Sequence, residues 1–554
     1  MPANFIYPQL IPDPPQITKL QIKNQVQRLS PYKAYGSNSI ANMVLQRCLD
    51  LIILHLLHIF QATLKLGTYY GLWKESITVV LRKPGKPNYE ISKAYRPIIL
   101  LSTITKVLTA IVAMEITCLI EQHQLLSKTH FGGRPGCTTS DAIHYLVHHI
   151  KDTWRRGKVV SILFLDIKGA FPNTVTKRLI HNLKRRRISN IYITFITNLL
   201  TERHTKLKFN DFISELINIL NGIGQGDPLS MILYIFYNTD LLKIIGNEEE
   251  DALGYVDDIT LVATGNDLEE TTKRLKCMMT KEDGGLQWSR EHNSKFEVSK
   301  LVILHATRKT QPDPEDPRGR ILLDKPPLVI KGQQIQEVGN FKYLGVQINA
   351  QFNWKEQAQR VTTNATSWIM QYRRLTKSQT DVGGKLIRQL YLAVALLKIT
   401  YRINTWYAPP HKAPGTIKNT GSVGVLRALQ RIQRVATLAI TGALHTTPTD
   451  LLDAYAGLLP MELTLSKACH RTAVRILTLP NTHPLHRIAR TARHRPPKKH
   501  LAPLDHALAT LKIGNAVIET IIPITNSPPP AAMLQDGDTH HKRTLDRERR
   551  PRPS

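Results

Sequence analysis

Asp166 closes the apolar run "SILFLD", and Asp257 and Asp258 stand side by side in "GYVDDITLV". A carboxylate among β-branched and aromatic residues is strongly disfavoured unless something compensates its charge. Neighbouring residues on an extended strand point to opposite faces, so Asp257 and Asp258 must sit at a bend. If the two segments are neighbouring strands, the three carboxylates converge, and crowding raises their pKa values. Divalent cations would relieve that repulsion. Mg²⁺ takes hard oxygen ligands and keeps positions open for water and phosphates. Two such ions, about 3.5–4 Å apart, clamp the attacking and leaving oxygens of an in-line phosphoryl displacement. Two Mg²⁺ ions are therefore expected on Asp166, Asp257 and Asp258, with Mn²⁺ as a substitute. The competing reading of "VDD" alone is a solvated hairpin turn.

Phosphoryl transfer from a triphosphate also needs cations against the charge growing on the leaving group. Lys83, Lys86 and Arg96 fall in "RKPGKP" and "YRPI", on one expected hairpin. Arg96 suits bidentate phosphate recognition, whereas a solvated hairpin tip would look the same at the two lysines. In "GIGQGDPLS" (222–230), Gly226 allows close backbone approach and Gln225 offers both donor and acceptor. A plain loop leading into a helix, with Asp227 as its N-terminal acid, competes. Further on, "VGVLRALQRIQRVATLAIT" has an apolar face of Val425, Leu429, Ile432 and Ala436. Arg427, Arg431 and Arg434 form a separate stripe that either tracks a nucleic-acid backbone or is simply a solvated face.

The elements that must position these residues follow from periodicity. "VVSILFLDI" (159–167) is a near-continuous apolar run, the pattern of a strand covered on both faces. A basic hairpin is expected over 74–100, built on "SITVVL" and the turn "RKPGKP". Helical periodicity marks 40–70, 102–125, 139–156, 175–203, 228–245 and 267–281, with short strands near 296–304 and 341–348. From 355 to about 480 the pattern is mostly helical. The order is α+β rather than doubly wound.

The chain of 554 residues holds 74 Lys+Arg against 43 Asp+Glu, a net charge of +31 and a pI near 9.9, which points to a polyanionic partner. Its five cysteines form no CxxC pair, against zinc knuckles and a disulfide framework. The start lacks a signal-peptide layout. The best apolar run, "LDLIILHLLHIF", is broken by His55 and His58, so no membrane span is expected. A soluble, intracellular protein follows. "KRRR" (184–187) and "RHRPPKKH" (493–500) look like import or nucleic-acid patches.

"FLDIKGAF", "GIGQGDPLS" and "GYVDDITL", in this order, resemble the reverse transcriptases of non-LTR (LINE-type) retrotransposons of the jockey or Tad kind, fungal in type. "PYKAYGSNSI", "RKPGKP…KAYRPIILLSTITKVL", "FGGRPGCTTSDAI", "WSREHNSKFEVSK" and "FKYLGV" agree, as does "LQRIQRVATLAITGALHTTPTDLLDAYAGLLP". The likeness runs over roughly 30–480. Asn38, Gly133 and Asn173 depart from the commonest pattern, and none touches the three carboxylates.

The resemblance implies a right-hand polymerase. It has a lead-in (1–30), fingers (31–157), a ferredoxin-like palm (158–349), a helical thumb and connection (350–480), and a basic, Pro-rich, partly disordered tail (481–554). It implies RNA-templated DNA synthesis, in which a primer 3′-hydroxyl attacks the α-phosphate of a dNTP. The partners are an RNA template, a DNA primer and a dNTP. The resemblance places Phe171 under the incoming sugar, excluding a 2′-hydroxyl, with an ordinary core Phe as the other reading. It places Gln225 and Gly226 at the nascent base pair. It makes Lys300 the acid that protonates pyrophosphate, against an ordinary surface lysine. A nuclear location with some cytoplasmic presence follows. Endonuclease and RNase H parts are not expected in this chain. The rival readings are an RNA-dependent RNA polymerase or maturase-like relative, and an inactive remnant that only binds nucleic acid.

Overall fold

Val159–Leu165 is buried along its whole length because it has antiparallel partners on both sides, Asp258–Gly265 and Val302–Ala306. Glu250–Tyr255 extends this sheet beyond the first partner and Gln336–Glu337 beyond the second, giving five strands. Both faces are covered. Val160, Ile162 and Phe164 join one hydrophobic core with Ile143, Leu146 and Ile150 of the helix Thr139–Arg155. Leu163 and Leu165 join the other with the helices Thr103–His123, Pro228–Asn238 and Leu268–Thr280. Burial on two faces is why the strand reads as an unbroken apolar run. Its one interior polar residue, Ser161, is satisfied by Thr271 Oγ1 at 2.6 Å and His305 Nδ1 at 2.7 Å. The computed structural model describes residues 5–521 except 317, 376–381, 413–418, 495–496, 498 and 512–517.

The basic hairpin forms as expected from Glu75–Arg82 and Tyr95–Leu100, paired antiparallel. It belongs to a second five-stranded sheet. Arg203–Phe209 runs parallel to Glu75–Arg82, and the short strands Phe212–Ile213 and Ile217–Ile219 pair with it. The sequence reading named no strands here. "RHTKLKF" is half exposed and dense in charge, so its period-2 pattern carries little hydrophobic contrast. The expected helix over 175–203 is two helices, Thr176–Arg185 and Asn190–Leu200. Mixed helices and sheets make the fold α+β.

The "KRRR" segment is an anchor rather than a free basic patch. Arg186, nearly buried, and Arg185 both meet Asp240, Arg187 Nε donates to the Gln9 carbonyl at 3.0 Å, and Lys184 lies over the Tyr7 ring. Leu49–Leu66 and Thr103–His123 are each long and apolar enough, by length and composition, to cross a membrane. Length and composition alone are weak grounds, since a buried core helix meets them too, and no clear membrane span stands out among the described residues. Thr103–His123 is a core helix, with 61% of its apolar window buried in the molecule. In Leu49–Leu66 the inward face is Leu56, Phe60 and Leu64.

Helices Lys355–Leu375, Val423–Thr441 and Met461–Leu477 form the C-terminal part. Order continues past 481, where a tail was expected. Pro484–His494 and Pro503–Leu511 are helices that bury Leu485, Ala489, Leu504 and Ala507. Residues 522–554, the most polar part of that expected tail, lie outside the described residues. Two buried acids fasten this part to Thr139–Arg155. Asp141, which caps that helix through Thr138, accepts from Arg475. Asp505 accepts from Arg155 at 3.0 Å.

Candidate active site

The strand register places the carboxylates. Leu165 pairs with Ile259, so Asp166 lies one step further along, beside Asp258. Tyr255 pairs with Asp258 across a two-residue turn made of Val256 and Asp257. This is the bend that adjacent carboxylates required. Antiparallel neighbours at this spacing have Cα atoms about 4.5–5.5 Å apart. Asp257 and Asp258 reach solvent at the open end of the sheet, yet protein surrounds them closely. Burial, with the added charge of Asp166, raises the Asp257 pKa, while its own backbone hydrogen bond and Arg96 pull it back. Burial first, then Asp257 and Asp166, push the Asp258 carboxyl up to about 6.

Cations gather opposite. Lys300 Nζ lies 2.8 Å from Asp166 Oδ2. Its short 3-10 turn, Val298–Lys300, is held because Glu297 N donates to the Asp166 carbonyl at 3.0 Å. Arg96 sits across from Leu81 in the hairpin, exposed, and close enough to favour the ionised form of Asp257. Lys83 donates to the Lys93 carbonyl at 2.9 Å. Its pKa is lowered by burial, then by Arg96, Lys86 and Lys300, with Asp166 opposing. Lys83 is thus within electrostatic reach of Arg96, Lys86, Lys300 and Asp166. Lys93 Nζ and Glu297 Oε1, 3.1 Å apart, tie the hairpin to the Lys300 turn.

Phe171 and the glycine loop pack together. Ile223 N donates to the Phe171 carbonyl at 2.9 Å, and the Phe171 ring stacks on Tyr234, with centroids 5.0 Å apart and planes at 22°. Phe171 is half-buried, with one face of its ring on Tyr234. The Gln225 backbone carbonyl accepts from Ile99 N at 2.8 Å. Gly226 has φ +124°, and a Cβ there would meet the Ile99 carbonyl oxygen at 2.6 Å. The loop therefore presses against the strand that carries Arg96. Asp227 also caps the helix, with Leu229 N to its Oδ1 at 3.0 Å.

Arg427, Arg431 and Arg434 are not brought to this space. Arg427 and Arg431 are exposed on Val423–Thr441, whose buried face includes Leu429, Ile432 and Ala436 as expected. Arg434 is engaged locally, donating to Thr449 Oγ1 at 2.7 Å and the His445 carbonyl at 2.6 Å. Two residues at the site escaped the sequence reading. Tyr234 lies under Phe171, and its buried hydroxyl has no hydrogen-bond partner. Asn238 donates to the Val256 carbonyl. Its only signal was a polar residue ending the apolar helix "PLSMILYIFYN".

Among the described residues, no group of three or more His, Cys, Asp or Glu side chains is drawn together closely enough to hold a metal ion. One oxygen of Asp166 is taken by the Lys300 ammonium. The donor chemistry nonetheless suits a hard divalent cation, because all three groups are carboxylates, and Asp257 and Asp258 are both destabilised by neighbouring carboxylate charge.

Residues 81–348 match the family model described as "Reverse transcriptase (RNA-dependent DNA polymerase)". The "Probable RNA-directed DNA polymerase from transposon X-element" of Drosophila melanogaster is 25% identical over 393 residues, covering 70% of this chain and 41% of the relative. The "RNA-directed DNA polymerase from mobile element jockey" of the same fly is 22% identical over 365 residues, covering 64% of this chain and 38% of the relative. The chain thus spans about two-fifths of the length of these curated relatives. A solved telomerase from Candida Tropicalis, in complex with a fragment of telomeric RNA, aligns over 76% of this chain and 64% of its own. Its TM-score of 0.37 at 10% identity is too slight to carry an argument.

Proposed function

We propose that this chain, whose segment 81–348 is a domain of the RNA-directed DNA polymerase class of nucleotidyltransferases, extends a DNA primer along an RNA template for a non-LTR retrotransposon. The observation that carries the reading is the register of Asp166 against the Asp257–Asp258 turn, with the Arg96 and Lys83 hairpin facing it. Asp166, Asp257 and Asp258 are the residues that would hold two Mg²⁺ ions, or Mn²⁺ in their place. When bound, such ions acidify the primer hydroxyl and offset charge on the reacting phosphates.

The rest is done by the chain. Arg96, Lys83 and Lys86 bind the triphosphate and neutralise the leaving pyrophosphate. Lys300 delivers a proton to the departing pyrophosphate oxygen. Phe171, backed by Tyr234, fills the space a 2′-hydroxyl would need, which selects dNTPs. Gln225 and Gly226 bear on the nascent base pair. Residues 31–157 act as fingers, 158–349 as a palm with a ferredoxin-like core and 350–480 as a thumb, where Arg427 and Arg431 follow the duplex backbone. Work on chromosomal targets places the protein in the nucleus.

Primer extension by the purified chain on an RNA template, with dNTPs and with or without Mg²⁺, tests this. Metal-dependent extension that Asp257→Asn abolishes is the expected result. Salt-sensitive binding of the duplex with no extension would overturn the reading in favour of a protein that only binds nucleic acid. Equal use of NTPs would overturn the choice of dNTP.

A further inference from the structure

Val256 has a left-handed backbone, φ +58°, at the first central position of the turn between Tyr255 and Asp258. Glycine usually fills that position. A β-branched residue there is strained, and such a conformation persists only where its surroundings over-determine it. Two groups hold it.

Asn238, fully buried at the end of Pro228–Asn238, donates its side-chain amide to the Val256 carbonyl. The segment 129–132 also runs along the turn's own strand. Phe131 N donates to the Gly254 carbonyl at 2.8 Å, and Gly254 N donates to the Thr129 carbonyl at 3.1 Å. Gly132 lies so close that a Cβ would meet the Val256 nitrogen at 2.4 Å. His130, beside Asn238, is fully buried, and burial pushes its pKa down to about 4, so it adds no charge at neutral pH.

The peptide unit from Val256 to Asp257 is planar, so fixing the Val256 oxygen also fixes the Asp257 nitrogen and Cα, the base from which its side chain departs. We propose that Asn238 is a positioning residue for Asp257: its hydrogen bond holds the turn left-handed and aims the carboxylate at the cation site. This rests on the polymerase reading. The same helix begins at the Gln225–Gly226 loop. One rigid element therefore sets both the loop near the base pair and the turn that carries the metal-binding acids.

Asn238→Ala, Val256→Gly and the double variant test it, because glycine adopts the turn without strain. Three readouts are compared: primer-extension kinetics, Mn²⁺ affinity by electron paramagnetic resonance without substrate, and hydrogen exchange across 252–260 in metal-free protein. Asn238→Ala should lower kcat by about 10–100-fold, leave the dNTP KM nearly unchanged, weaken Mn²⁺ binding and speed exchange in the turn. Adding Val256→Gly should restore most of each. Unchanged Mn²⁺ affinity and exchange in Asn238→Ala, or a double variant no better than the single, would overturn the proposal. If Asn238→Ala does not fold, the shorter side chain of Asn238→Ser is read by the same exchange and Mn²⁺ measurements. If the wild-type chain extends no primer, the polymerase reading fails, while Mn²⁺ affinity and exchange still decide whether Asn238 governs the turn.

Discussion

The Lys300 ammonium lies 2.8 Å from Asp166 Oδ2, on an oxygen that a divalent cation would also claim. Both side chains are well exposed, 57% and 42%, so the pair adds little to stability. On the proposed two-metal reading, its effect is competition with the cation. Lys300→Met should lower the Mg²⁺ concentration for half-maximal extension severalfold, while kcat falls by about 10²-fold if the lysine is the proton donor. A Mg²⁺ titration of single-nucleotide incorporation measures both, and an unchanged metal requirement would refute the competition.

Asp258 carries a pH signature. Its carboxyl is pushed up to about 6, chiefly by burial and then by Asp257 and Asp166, against about 3.9 in an unfolded chain. The folded, metal-free protein therefore holds this proton more tightly than the unfolded chain. Its stability falls as pH rises from about 4 through about 6. In chelator at pH 7.5, Asp258→Asn should melt several degrees above wild type, and the gap should close by pH 4. Thermal unfolding across that range decides it; a gap that does not change with pH would contradict the assignment.

Phe171 stacks on Tyr234, whose hydroxyl has no partner. Phe171→Ala should raise the efficiency of NTP relative to dNTP by about 10–100-fold, the range that a change in pocket size commonly produces. Tyr234→Ala should reproduce part of this by removing the support under the ring. Tyr234→Phe should leave discrimination intact, because it deletes only an unsatisfied group. Incorporation kinetics with matched dNTP and NTP pairs measure all three.

Asp141 has a fully buried side chain and is met by Arg475 from the C-terminal part. Removing one partner of such a pair leaves a buried charge, at a cost of about 3–5 kcal/mol. Arg475→Ala should lose stability of that order. Changing both residues, Asp141→Asn with Arg475→Met, should recover much of it. Urea unfolding of the full chain gives the comparison. An equal loss in the single and double variants would show that the charge is not the cause.

Much of the scaffold was legible from local pattern. The unbroken apolar run at 159–165, the hairpin signalled by "RKPGKP" and the helices at 103–123 and 139–155 each carry their period within a single segment. Arg203–Phe209 was not legible, because a half-exposed, charge-rich strand shows little contrast between its faces. Nor was the extent of order beyond 481, where Pro and Arg hide two helices whose small apolar faces count only once packed.

Residue type and spacing alone showed that adjacent Asp257 and Asp258 needed a bend, and that the three acids would need compensating charge if their segments were neighbours. They also showed a basic hairpin and a glycine-rich loop as candidates to accompany those acids. These are properties of short segments and of the chemistry of their side chains. Only the tertiary structure decided which neighbours each charge keeps. It gave Lys300 to Asp166, spent the basic run at 184–187 on Asp240, the Gln9 carbonyl and Tyr7, turned Arg434 to the segment at 445–449, and set Asn238 against Val256. Most of those contacts join segments far apart in the chain, and which partner wins depends on how whole elements pack, which no local pattern encodes.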